Sequence, residues 1–202
     1  MASQLATKPD VKILYGPPVG LPVLVDVPEM AFLMVDGEGD PNTSKDYQEA
    51  LQALFSVSYT LRFAVKKSRG FEYRVSPLEG LWWSDDPTDF LAGRKTNWKW
   101  TAMIRQPDEV TDRLLDEVRA AAAAKDGAGL GRVRLGTFTE GRCAQVLHLG
   151  PYSSEGPTVA ALHAFIRAQG LAPTGKHHEL YLGDPRRSAP ERLRTILRQP
   201  VR

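Results

Sequence analysis

Apolar residues recur at helical spacing along residues 44–67, where Tyr47, Ala50, Leu51, Leu54, Ser58, Leu61 and Val65 share one face. That pattern predicts a helix. Thr43 is placed to cap its start, with Asp46 three residues on as the partner in a capping box. Lys66, Lys67 and Gly70 mark its end. A second stripe, Val159, Leu162, Phe165 and Ile166, predicts a helix over 157–169 closed by Gly170. A third, Val110, Leu114 and Val118, follows Pro107, whose missing N–H costs nothing in a first helical turn. Asp108 and Glu109 suit the positive end of that helix, and the alanine run carries it to residue 125.

Alternation and apolar runs predict strands at 27–37, 71–76, 97–106, 142–150 and 176–182. A short strand and turn is expected at 132–141, and a last strand or short helix at 192–199. Residues 77–96 read as a long connection, and 11–27 as an extended lead-in. The order strand, helix, strand, strand then occurs twice, over 27–106 and 141–199, with a linking helix at 107–125. VPEMAFLMVDGEGDPNTSKDYQEALQALF lines up loosely with GRCAQVLHLGPYSSEGPTVAALHAFI; each strand ends at a glycine and feeds a helix through a small-residue turn. The expectation is an α+β fold made by internal duplication. Residues 1–26 form the lead-in and 27–202 one domain of two modules, whose antiparallel sheets carry helices on one face and curve around a ligand cleft on the other.

Composition narrows the function. A chain of 202 residues with 42% hydrophobic and 25% charged residues can bury a sizeable core. Disorder is expected only at the ends, MASQLATKPD and RQPVR. A net charge of +2 disfavours direct nucleic-acid binding, and the Arg-rich run RRSAPERLRTILRQPVR reads as a solvated face and tail. The single cysteine, Cys143, reads as a buried inert thiol. No signal-like or membrane-spanning run is present, so a cytoplasmic protein without a membrane partner is expected. No phosphate loop, GxGxxG fingerprint, GxSxG elbow or His/Cys ligand set is found, so neither a cofactor nor a metal is expected.

The chemistry-bearing residues fall into two stretches. FEYRVSPLEGLWWS brings Tyr73, Glu79, Trp82 and Trp83 together, with Trp82 preferred over Trp83 as the one facing a ligand. KHHELYL puts His177, Glu179 and Tyr181 on one face of a strand and His178 and Leu180 on the other. All four tryptophans lie between 82 and 100, with Trp98 and Trp100 on a shared strand face, which favours an aromatic-walled cavity. Glu155 lies at a helix start, as a base or as an anion at the helix dipole. Tyr152 just before it has a hydroxyl that can donate and a ring that can stack, or else packs against the next turn. Carboxylates among aromatics suit a flat, largely apolar molecule that is chemically altered where it binds.

HLGPY at 148–152, the polar strand with central Glu179, and PLEGLWW at 77–83 resemble the GyrI-like family over residues 27–199, with its SOUL-like fold. The resemblance implies binding of flat, hydrophobic, often cationic compounds between the two modules, with Glu179 touching the ligand and Tyr152 at the pocket edge. About 26 residues precede the first strand, so no helix-turn-helix is expected there. PLEGLWW points to the stand-alone branch, which resembles cyclopropanoid cyclohydrolases. On that likeness Glu179, Glu155 and Tyr152 are the catalytic candidates. Trp82, Trp100, Glu79, Tyr73, Tyr181, His177 and Trp98 are the ligand-binding ones, with Glu79 a substitute acid or base. The alternative is non-catalytic sequestration of planar, drug-like ligands, cationic ones included. Monomer and homodimer fit equally, and no residue supports a direct role as a gyrase inhibitor.

Overall fold

The computed structural model describes residues 11–86, 88, 94–123 and 130–202. Six antiparallel strands close into a barrel in the order β1-β3-β2-β5-β6-β4. They are β1 (Val23–Glu38), β2 (Leu78–Trp83), β3 (Lys99–Arg105), β4 (Arg134–Leu149), β5 (His177–Tyr181) and β6 (Arg194–Pro200). Among the described residues four α-helices accompany them: α1 (Val11–Tyr15), α2 (Lys45–Arg69), α3 (Asp112–Ala123) and α4 (Gly156–Ala168). The order strand, helix, strand, strand appears as β1-α2-β2-β3 and again as β4-α4-β5-β6. The expected α+β, antiparallel character holds, but the sheets do not stay apart as two walls of a cleft. Long pairings of β1 with β4 and of β2 with β5 sew the halves into one closed sheet. Closure removes both sheet edges, which would otherwise expose unpaired N–H and C=O groups.

Two apolar layers follow from this closure. Outside the barrel, the stripe of α2 covers Leu33, Val35, Trp82, Trp100, Ala102 and Ile104, with α3 packed beside it through Leu115 and Val118. α4 covers Ala144, Val146 and Leu197 with Leu162 and Ile166. Inside, Val25, Phe32, Met34, Leu81, Met103 and Cys143 fill the barrel with Leu14 of α1. Gly37 marks the tightest outer contact: a Cβ there would lie 2.3 Å from the Trp100 ring. Gly37→Ala is therefore expected to cost about 1–3 kcal/mol, read as a lower thermal midpoint, since overpacking a close-packed site forces side chains off their rotamers.

Several sequence-based boundaries are corrected. The lead-in is not wholly extended, because α1 forms at 11–15; residues 1–10 lie outside the described residues. Ser44, not Thr43, caps α2, its Oγ accepting from the Tyr47 N–H at 3.2 Å. Residues 71–76 alternate like a strand but join no strand among the described residues, while the supposed connection 77–96 contains β2, paired on both sides by β3 and β5. Pro107 opens a turn closed by the Val110 N–H, and the helix begins only at Asp112. The break expected near 141 is absent: Gly141, at φ 76°, sits inside a continuous β4. The C-terminal residues are not frayed, since β6 runs to Pro200 and Val201 bonds Arg142.

The largest departure is Arg198, expected on a solvated face and found fully buried inside the barrel. Its guanidinium donates to Glu140 at 3.1 Å, to Gln145 at 3.0 Å and to the Leu14 carbonyl at 2.7 Å. Glu140 also meets His178 Nδ1 at 3.0 Å, and His178 Nε2 lies 3.0 Å from Glu79. Tyr15 of α1 completes the chain with a hydrogen bond to Glu79. Two carboxyl groups, an imidazole and a guanidinium thus share the interior. Burial alone would raise the Glu140 carboxyl, but the charges and hydrogen bonds of His178 and Arg198 hold it below the usual carboxylate range. Burial likewise disfavours the His178 imidazolium, yet Glu140 and Glu79 raise its pKa. Among the described residues no helix is long and apolar enough to cross a membrane.

Candidate active site

A cleft of about 2220 Å³ lies on the outer surface of the barrel, between α2 and α4. Its floor is the β2–β5 pair, where Gly80 faces Glu179 and Trp82 faces His177. α2 contributes Tyr47, Leu51, Phe55 and Tyr59, and α4 contributes Val159 and His163. The position follows from strand alternation: residues of β2 and β5 that point outward emerge between the two helices, and their neighbours point into the barrel. Drug-sized sites occupy roughly 300–1,000 Å³, so this cleft has room for an extended ligand.

The outward face of β5 carries the chemistry. Tyr181 donates its hydroxyl hydrogen to Glu179 at 2.8 Å, and the Trp82 indole N–H donates to the Tyr181 oxygen at 3.1 Å. His177 Nε2 lies 3.4 Å from the other Glu179 oxygen. Gly80 makes this possible, because a Cβ there would fall 2.7 Å from the Trp82 indole nitrogen. Opposite, Glu155 sits at the N-cap position of α4 without capping it, and its Oε1 is buried with no hydrogen-bond partner among the described residues.

The two carboxyls are pushed apart in acidity. Burial, then the nearby Glu179 charge, raise Glu155 to about 8, against the opposing pull of Thr195 and Lys95. Burial would raise Glu179 too, but hydrogen bonds and charge from His177, the Tyr181 hydroxyl and Lys95 outweigh it and lower its pKa. Near neutral pH Glu155 is mainly a neutral acid and Glu179 a carboxylate. Burial and the charges of Glu155, Glu179 and Asp184 push the Tyr152 hydroxyl up to about 12, so it remains a donor.

Glu179, Glu155, Tyr152, Trp82, Tyr181, His177 and Trp98 all line this cleft. Three sequence candidates do not. Glu79 points into the barrel, where His178 and Tyr15 hold it, so it is no substitute for either cleft carboxyl. Trp100 is fully buried under Tyr47, with ring centroids 4.9 Å apart, and offers a ligand no surface. Tyr73 reaches Gln106 instead and stacks on Phe71. Trp82 is only 3% exposed, wedged between Tyr47 and Trp98, so it supports Tyr181 more than it offers a stacking face. Trp83, half-buried, borders the same cleft. The exposed aromatic walls are Tyr152, Tyr59 and the half-buried Phe55. Phe55 and Tyr59 were missed because they lie beside the apolar stripe of α2 rather than on it; their four-residue spacing, stacked at 6.5 Å, was the available signal. Cys143 is buried, with burial raising its thiol pKa.

A family model for a GyrI-like small-molecule-binding domain matches residues 22–202. The crystal structure of an uncharacterized conserved protein from Listeria innocua is 40% identical, with a TM-score of 0.87 over 95% of this chain and 97% of that one. A crystal structure of a hydrolase from Listeria innocua is also 40% identical, with a TM-score of 0.82 over the same shares. The C-terminal domain of EcmrR has a TM-score of 0.56 at 12% identity, over 90% of this chain and 97% of that one, a likeness of fold alone. Comparison with curated proteins gave no match.

Proposed function

Because the chain belongs to the GyrI-like small-molecule-binding domain family, we propose that its cleft adds water to planar, hydrophobic cytotoxic molecules such as cyclopropanoid DNA alkylators, without a cofactor. The observation that carries this reading is the pair of cleft carboxyls with opposed acidities, Glu155 raised to about 8 and Glu179 lowered. One group able to give a proton and one able to take it is what addition of water across a strained, conjugated ring requires. The 40% identity to a Listeria innocua protein described as a hydrolase supports it.

The steps balance with these residues alone. Protonated Glu155 donates to the dienone carbonyl oxygen, with the Tyr152 hydroxyl as a second donor. A cyclopropane C–C bond breaks and its electron pair moves through the ring to give a phenol. The water oxygen bonds to the released carbon while Glu179 takes the water's proton. Exchange with solvent returns a proton to Glu155 and removes one from Glu179, leaving a net gain of one water. The flat body of the substrate lies along Tyr152, Phe55 and Tyr59.

The test is a pH–rate profile of purified protein with a cyclopropanoid alkylator, products followed by mass. The water adduct should form over many turnovers. kcat/KM should fall as pH rises through about 8, where Glu155 loses its proton. It should hold on the acid side until below the ordinary carboxylate range, because Glu179 is lowered. A rate that climbs steadily through pH 8 contradicts the assignment of Glu155 as the acid. Recovery of intact ligand, with stoichiometric quenching of tryptophan fluorescence, would leave the second reading: sequestration of planar drug-like ligands, which the aromatic lining alone also suits.

A further inference from the structure

An aromatic enclosure around a carboxylate ordinarily attracts lipophilic cations, through cation–π contact and charge pairing. Here both opportunities are already taken. Lys95 Nζ lies over the Trp98 ring, 5.3 Å from its centroid, and lines the cleft. Lys95 is half-buried and has no carboxylate within salt-bridge distance among the described residues. It lines the same cleft as Glu155 and Glu179, and its charge acts on both. Glu179 is meanwhile engaged by Tyr181 and His177. A cationic ligand would have to displace Lys95 or share the site with it.

The remaining charges along the cleft point the same way. Arg167, Arg186 and Arg187 stand at its rim, and among the described residues only Arg186 has an ion-pair partner, Asp184 at 3.0 Å. Burial, with His177 and Arg167, lowers the His163 pKa and keeps that imidazole neutral at pH 7. With Glu155 mainly protonated, the described lining residues set four Lys or Arg cations against the two anions Glu179 and Asp184.

From this arrangement we infer that Lys95 is a built-in cation that fills the place of a cationic ligand, so the cleft selects neutral or anionic planar molecules and rejects lipophilic cations. The inference rests on the hydrolytic reading of the same cleft and deepens it. A neutral dienone enters unopposed, and the Lys95 ammonium then faces the negative charge that develops on its oxygen. Lys95 is thus a specificity-determining residue, and an electrostatic partner of the reacting oxygen.

The isosteric pair tetraphenylborate and tetraphenylphosphonium isolates the charge, since the two ions share size and aromatic surface. Binding to the full chain is read by tryptophan quenching at pH 7. The wild type is expected to bind the borate at least about tenfold more tightly, the scale of one unscreened charge contact. Lys95→Met, which keeps the stem, should shift that ratio toward the phosphonium by at least about tenfold, and Lys95→Arg should keep the wild-type order. Tighter phosphonium binding by the wild type, an unchanged ratio in Lys95→Met, or no binding of either ion would each overturn the inference. These outcomes are separable from hydrolysis: turnover of a neutral cyclopropane with phosphonium preference sinks only the charge selection. Borate preference without any water adduct sinks only the hydrolase.

Discussion

Glu179→Gln is expected to lower turnover of an activated cyclopropane by about 10²–10⁴-fold, the usual contribution of a positioned base. The amide keeps the shape of the side chain and can still accept from Tyr181, but it cannot take a proton from water. Planar ligands should still bind, so the loss should fall on kcat rather than KM. The same substitution removes the negative charge that helps raise Glu155. The alkaline limb of any residual activity should therefore move to lower pH. That displacement, seen in the pH profile, separates loss of a base from general damage to the site. A loss smaller than tenfold, or an unmoved limb, would contradict the pairing of the two carboxyls.

The second large effect lies inside the barrel. Glu140→Ala strips His178 and Arg198 of their shared carboxylate, leaving the Arg198 guanidinium without its ionic partner in a closed interior. Breaking a buried pair on one side costs about 3–5 kcal/mol. Denaturant or thermal unfolding should show it, with a midpoint lower by roughly 10 °C for a chain of this size. Arg134→Ala, which removes the half-exposed partner of Asp36, should cost far less, since water screens that pair. Equal effects of the two substitutions would contradict the view that the interior network is a major term in stability. The network also ties the site to the fold. His178 and Glu79 point inward from the strands that carry Glu179 and Trp82 outward.

The same alternation explains what could be read from the chain. α2 and α4 were legible because each has one apolar stripe and one solvent face, and β5 because its polar and apolar residues alternate. Glu179, His177 and Tyr181 on one face followed from that alternation. β2 was illegible for the opposite reason. Both faces of LEGLWW are buried, the outer under α2 and the inner in the barrel, so a glycine and a glutamate within it read as a loop. Glu79 can be buried only because His178 and Tyr15 arrive from elsewhere in the chain, and Arg198 only because Glu140, Gln145 and Leu14 do. Local sequence carries no trace of such pairings. Barrel closure was hidden likewise, since it depends on the register of β1 with β4 and β2 with β5 rather than on any one segment.

Addition of water at the Glu155–Glu179 pair is tested most directly by incubating the protein with a cyclopropanoid alkylator in heavy-oxygen water. The account predicts a ring-opened product carrying one solvent oxygen, formed in many equivalents per protein by the wild type and nearly absent with Glu179→Gln. Unaltered ligand from the wild type, or equal yields from both proteins, would contradict it.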